Sequence, residues 1–88
     1  MDPERLYKTF TKASNDIKNV SFTPDNDTLL QLYSLFKQST IGDNTAESPS
    51  FFDFKNSAKW NAWNKLKGMS KEQAQIKYVK LVRGLLEK

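Results

Sequence analysis

Tyr33, Phe36 and Lys37 stand at positions i, i+3 and i+4. On a helix that spacing puts two aromatic rings and an ammonium group on one side. Lys59 and Tyr78, further along the chain, add the same two kinds of group. Rings and lysines together suit a phosphorylated ligand that carries a flat base: the base lies against an aromatic face and the phosphates meet ammonium groups. The plainer alternative is that Tyr33, Phe36 and Tyr78 fill a core, with the lysines reaching out from its edge. Trp60 and Trp63, on a single helical turn, read as core fillers.

Catalytic chemistry has little to work with. The chain has no His and no Cys, which removes the commonest acid/base group near neutral pH, thiol nucleophiles and the commonest metal ligands. Asp25 and Asp27 read as charge at a helix start rather than an acid/base pair. The run Asp25-Asn26-Asp27 lacks the glycine and the terminal glutamate of a calcium loop. There is no GxxxxGK[ST] phosphate loop. A binding protein is expected rather than an enzyme, with no metal and no cofactor beyond its ligand.

Charge points to an anionic partner. Residues 1–54 carry five basic groups and eight acids, a net of −3, whereas residues 55–88 carry nine basic groups and two acids, a net of +7. Such asymmetry fits nucleic acid, anionic lipid or a multiply phosphorylated small molecule, or simply a solvated lysine-rich face. Lysines outnumber arginines twelve to two, which disfavours reading of base edges. With 88 residues, 38% of them hydrophobic, the chain can build one small core. No apolar run is long enough to span a membrane, and the polar start Met1-Asp2-Pro3-Glu4-Arg5 lacks the apolar stretch of a signal peptide. The expectation is a single cytoplasmic domain over residues 1–88.

Four helices are predicted to position these groups. The first runs from about Pro3 to Val20, with Leu6, Phe10, Ala13, Ile17 and Val20 as its stripe. Asp2 and Pro3 start it and Pro24 forces a break. The second runs from Asp25 or Asn26 to Thr40, with Leu29, Leu32, Leu35, Phe36 and Ser39 on one face and Gly42 at its end. The third runs from Lys55 or Asn56 to Lys67, with Lys59 on the stripe of Ala62, Trp63 and Leu66. The fourth starts at Ser70, whose spacing to Gln73 suits a capping box, and continues to about Leu86 on the face of Ala74, Tyr78, Leu81, Val82 and Leu85. The connection over 43–54 is long enough to let its flanking helices run parallel. Its apolar end, Phe51-Phe52-Asp53-Phe54, is expected to pack back as a lid or plug. The class is all-α, a four-helix bundle.

Two stretches carry a family resemblance. Leu32-Tyr33-Ser34-Leu35-Phe36-Lys37-Gln38-Ser39-Thr40-Ile41-Gly42-Asp43 resembles the YxxYKQATxGD signature of the acyl-CoA-binding protein family. Lys59-Trp60-Asn61-Ala62-Trp63-Asn64-Lys65-Leu66-Lys67-Gly68-Met69-Ser70-Lys71-Glu72 resembles its KWxAWxxLKGxSKE signature. Pro49, Asp53-Phe54-Lys55 and Tyr78 fall at the family's spacing, and residues 1–5 look like a short N-terminal extension. The resemblance implies an up-down-down-up bundle that binds medium- to long-chain fatty acyl-CoA esters without catalysis, as a monomeric carrier and pool former in lipid metabolism.

By the same resemblance, Tyr33, Lys37 and Lys59 correspond to the ligands of the ribose 3′-phosphate. Phe36 and Tyr78 correspond to aromatics near the adenine and the pantetheine–acyl region. Lys18 matches the lysine near the CoA phosphates, and Leu29 and Leu30 match positions along the acyl groove. Phe10 and Ala13 match the helix-one surface around it. Three positions differ from the family pattern: Phe36 stands where Tyr is usual, Ser39 where Ala is common, and Asn56-Ser57 where Gly-Lys is frequent. Acyl-CoA-using enzymes and membrane surfaces are implied as transient partners. Two other classes stay open on the residues alone, a small basic nucleic-acid binder and a module that docks a partner helix.

Overall fold

Each helix begins at a side chain that takes up backbone amides the helix itself leaves without a partner. In the structure, a computed structural model that describes residues 2–87, the Asp2 carboxylate accepts from the Arg5 amide at 2.9 Å and Pro3 fills the first turn of α1, Pro3–Asp16. Asp25 accepts from the Thr28 amide at 2.8 Å at the head of α2, Asn26–Thr40. Asp53 accepts from the Asn56 amide at 3.2 Å at the head of α3, Phe54–Asn64. Ser70 and Gln73 exchange reciprocal bonds, both 3.1 Å, at the head of α4, Lys71–Leu86. The capping box read from the sequence is therefore formed.

Two helices end earlier than their apolar stripes suggested. α1 stops at Asp16 and tightens into a 3-10 turn over Ile17–Asn19, where the Asn19 amide side chain bonds the Asn15 carbonyl at 3.3 Å. α3 stops at Asn64 rather than Lys67. Its last carbonyls accept i+3 bonds, Leu66 to Trp63 and Lys67 to Asn64, before Gly68 turns the chain at φ +93°. Gly42 does the same after α2 at φ +97°, as its position predicted.

α4 packs on both α1 and α2, and α3 packs on α2. Contacts along the helices fix their directions. The Gln75 side chain donates to the Ser39 carbonyl at 3.2 Å, and the Tyr78 ring lies 6.1 Å from that of Phe36, so α4 runs antiparallel to α2. Phe10 lies 5.7 Å from Phe36, while Ile17 shares a groove with Leu32, so α1 is also antiparallel to α2. The Trp63 indole, at the end of α3, donates to the Gly42 carbonyl just past the end of α2, while Lys59 meets Tyr33, so α2 and α3 are parallel. This is the up-down-down-up order.

The core is Phe10, Ala13, Leu32, Tyr78, Val79, Val82 and Leu85, with Ile17, Leu35 and Leu81 packed against it. Each large aliphatic buried there contributes about 1.5–3 kcal/mol. The molecule is only 15 Å thick against 38 and 30 Å in its other directions, a shallow layer rather than a square bundle.

A polar hub closes the end where α2 and α3 stop. Gln38 is fully buried and donates to the Asp43 carboxylate at 2.9 Å and the Met69 carbonyl at 2.7 Å. Asp43 also accepts from the Gly68 amide at 3.0 Å. The bonds to Asp43 and the positive Lys67 hold its carboxyl below the usual carboxylate range.

The connection between α2 and α3 corrects two expectations. Trp60 is not a core filler: it is only half-buried, and its indole reaches sideways to the Ala46 carbonyl at 2.9 Å, pinning the loop. The segment Phe51-Phe52-Asp53-Phe54 is no plug. Phe51, Phe52 and Phe54 are 81, 79 and 75% exposed, because Asp53 is committed to capping α3 and Phe54 is the first helical residue.

Candidate functional site

Tyr33 stands on a ridge between two grooves. One, of about 470 Å³, lies between the first halves of α2 and α3 and is lined by Asn26, Leu29, Leu30 and Tyr33 from α2 and Lys55, Ala58 and Lys59 from α3. The other, of about 500 Å³, lies between α1 and α2 over the core, with Ser14, Ile17, Lys18, Leu32, Tyr33, Phe36, Lys37 and Tyr78 around it. Volumes of this size suit a small-molecule ligand. The eight residues singled out from the sequence thus border one or both grooves. Leu29, Leu30, Tyr33 and Lys59 border the first. Lys18, Tyr33, Phe36, Lys37 and Tyr78 border the second.

The charges gather at the ridge. The Lys37 Nζ sits 5.9 Å from the Tyr33 ring centroid and 5.6 Å from that of Trp63. The Lys59 Nζ, arriving from α3, sits 5.3 Å from the same Tyr33 ring. Two ammonium groups therefore converge on one phenol. Neither takes part in the two ion pairs found among the described residues, Lys8 with Glu4 and Lys12 with Asp16, which lie on α1. Contacts of a cation with an aromatic face give only ~0.5–1 kcal/mol at exposed sites. A phosphate between the two lysines would gain charge-assisted hydrogen bonds worth more and would relieve their mutual repulsion.

The aromatic groups divide in burial. Phe36 is 40% exposed, so one face is open to the groove, while its other contacts are to Phe10 and Tyr78. Tyr78 is only 4% exposed and meets Phe10 edge to face at 5.0 Å. Burial pushes its hydroxyl pKa above the ordinary value of 10.0, so it stays neutral through the physiological range. Of the competing readings, Tyr78 fits the core and a groove wall at once, Tyr33 is half-buried, and Phe36 is a surface platform. Leu29, placed on a packed face by its period, is 43% exposed and belongs to a groove wall instead. Lys18 lies on the 3-10 turn and is exposed. Of the two helix-one residues, Phe10 and Ala13 are both buried in the core beneath the second groove.

The sequence reading did not single out Asn26, Lys55 and Ala58 in the first groove, or Ser14 in the second. The signal was available: Asn26, Leu29, Leu30 and Tyr33 form an i, i+3, i+4, i+7 stripe, and Lys55, Ala58 and Lys59 form the matching one on α3. Among the described residues no cluster of three or more acidic side chains is placed to hold a metal, and no helix is long and apolar enough to cross a membrane.

Comparison with known proteins adds the family. The model of the family described as Acyl CoA binding protein matches residues 7–82. Acyl-CoA-binding protein homolog 1 of Caenorhabditis elegans is 49% identical over 80 residues, 91% of this chain and 93% of the relative. The acyl-CoA-binding protein homolog of Drosophila melanogaster is 47% identical over 83 residues, 94% of this chain and 96% of the relative. Among solved structures, the crystal structure of Oryza sativa Acyl-CoA-Binding Protein 2 superposes with a TM-score of 0.89 at 38% identity, covering 93% of this chain and 91% of that one. With a matched model over most of its length, near-full-length relatives and a shared four-helix architecture, this chain belongs to the acyl-CoA-binding protein family.

Proposed function

We propose that this protein binds medium- to long-chain fatty acyl-CoA esters reversibly, as a cytoplasmic, monomeric carrier that buffers a pool of the ester. One observation carries the reading: Lys37 and Lys59 converge on Tyr33 at the ridge between two apolar grooves. An acyl-CoA has the complementary form, a polyanionic nucleotide joined to a chain that water rejects. Lys37 and Lys59 hold the 3′-phosphate by charge-assisted hydrogen bonds, each worth about 1.5–3 kcal/mol, and the Tyr33 hydroxyl donates another. The adenine lies against the open face of Phe36. Lys18 meets the diphosphate, and Tyr78 forms the groove floor. The acyl chain lies along Leu29 and Leu30.

The energies divide the labour. At about 0.8 kcal/mol per buried methylene, a chain of roughly 14 methylenes has a ceiling near ~11 kcal/mol before ordering costs. Chain burial therefore dominates affinity, and the phosphate contacts select the CoA ester over the free acid. Calorimetric titration with palmitoyl-CoA and with palmitate tests this. One-to-one binding of the ester, with the free acid weaker by two orders of magnitude or more, is the expected result. Equal affinities would remove the head-group site.

A further inference from the structure

Among the described residues, the hydroxyls of Ser21, Thr23, Thr45 and Ser48 lie outside the helices, on exposed residues, and make no hydrogen bond. Ser50 and Ser70 also lie outside the helices, but their hydroxyls accept backbone amides, from Phe52 at 3.3 Å and from Gln73 at 3.1 Å. Of the free hydroxyls, those of Thr23 and Ser48 are each followed by a proline. The two differ in what comes next. After Thr23-Pro24 the chain enters the cap of α2, where Asp25 holds the Thr28 amide. After Ser48-Pro49 no helix begins until Phe54.

Ser48 sits at the middle of a short arc. The Ala46 carbonyl is pinned by the Trp60 indole at 2.9 Å. The Ser50 carbonyl accepts the Ser57 hydroxyl at 3.4 Å and the Asp53 amide at 2.9 Å. Between these pins the backbone of Glu47, Ser48 and Pro49 makes no hydrogen bond among the described residues. Ser57 and Trp60 are one turn apart on α3, so both pins stand on one face of that helix.

We propose that Ser48 is the phosphoacceptor of a proline-directed protein kinase. A cleft that takes an extended segment needs main-chain groups not already bonded, and the arc supplies them. Pro49 biases the residue before it towards the extended region. It also has no N–H, so a cleft shaped for proline at this position leaves no donor unpaired. No Lys or Arg lies between Lys37 and Lys55, which leaves nothing for a kinase that reads basic residues near the hydroxyl. In the transfer, the Ser48 Oγ bonds to the γ-phosphorus of ATP as the bond to the β–γ bridging oxygen breaks. ADP leaves, and the hydroxyl proton passes to the kinase's carboxylate base. The phosphate adds about −1.5 to −2 charges next to Glu47. Ser48 borders a third hollow together with Ser57, Trp60 and Asn61. At 100° per residue these lie on the side of α3 opposite Lys55, Ala58 and Lys59 of the first groove. The modification therefore marks the protein without touching its ligand grooves, a consequence that rests on the acyl-CoA reading, whereas the phosphoacceptor assignment does not.

Incubation of the full chain with Mg-ATP and purified proline-directed kinases, of the mitogen-activated and the cyclin-dependent class, tests the site. Intact mass and fragment sequencing read the product. The wild type should gain one phosphoryl group, on Ser48. S48A should gain none, and T23A should react as the wild type does. P49A keeps the Ser48 hydroxyl and should react about tenfold more slowly, with an unchanged circular dichroism melt. No transfer to the wild type by either kinase overturns the proposal. So does a product carried on Thr23 or Ser50, or a P49A rate equal to that of the wild type, which would mean that the proline is not read. The phosphorylated protein should bind palmitoyl-CoA with the affinity of the unmodified one. Weaker binding would overturn the separation of Ser48 from the grooves. A null titration of the unmodified protein would remove the acyl-CoA reading and leave the phosphorylation result standing by itself.

Discussion

The ridge residues make opposite demands on the fold. Lys37 and Lys59 are held within 6 Å of one tyrosine ring with no carboxylate partner among the described residues, an arrangement that by itself contributes little stability. Lys59→Ala should therefore leave the urea midpoint close to wild type and weaken palmitoyl-CoA binding by at least ~1.5 kcal/mol, about tenfold. Titration with dephospho-CoA esters, which lack the 3′-phosphate, provides the discriminating comparison: variant and wild type should converge on that ligand. A Lys59→Ala variant that binds both esters as wild type does would move the phosphate elsewhere. The spacing of Tyr33, Phe36 and Lys37 was legible from the sequence because i, i+3 and i+4 share a helix face. The approach of Lys59 was not legible from spacing. It depends on α3 lying parallel to α2, a tertiary fact that only the two family motifs implied.

At the scale of elements, caps and polar connectors carry what the apolar stripes do not. Ser70→Ala removes one half of the capping box and should cost about 1 kcal/mol in denaturant unfolding. Gln38→Ala should cost more, about 2–4 kcal/mol, because it leaves a cavity at a fully buried site and strips the Met69 carbonyl of its donor. Asp43 adds a pH dependence whose sign is fixed by its lowered pKa. A carboxylate with a folded pKa below its unfolded one contributes stability that is present above about pH 4 and is lost as pH falls through the folded value. The stability gap between wild type and Asp43→Asn should accordingly narrow as pH drops from 5 towards 3, read from urea midpoints. A gap independent of pH would mean that Asp43 acts only through packing. The four helices were legible because their apolar residues recur at helical period and their starts carry oxygen-bearing side chains. The hub was not, since Gln38 is polar and a periodicity of apolar residues passes over it. The exposure of Phe51, Phe52 and Phe54 was also hidden, because apolar composition alone does not say whether a segment is covered.

On the scale of the whole molecule, α1 and α2 touch through the rings of Phe10 and Phe36, and both rings pack on Tyr78 of α4. A ligand seated in the second groove touches α1, α2 and α4 at once, and one in the first groove adds α3. Such a ligand would add to the helix–helix contacts of a layer 15 Å thick. Binding to the native state alone stabilises by about 2.7 kcal/mol at a free ligand concentration of one hundred times Kd. For a domain of this size, 1 kcal/mol raises Tm by roughly 4–8 °C. Palmitoyl-CoA at that excess should therefore raise Tm by about 10–20 °C in a thermal melt followed by circular dichroism. Palmitate at the same concentration should raise it far less, because it has no phosphate to offer the two lysines near Tyr33. If the free acid stabilised the fold as much as the ester, the ridge would be a bystander, and the helices would be held together by chain burial alone.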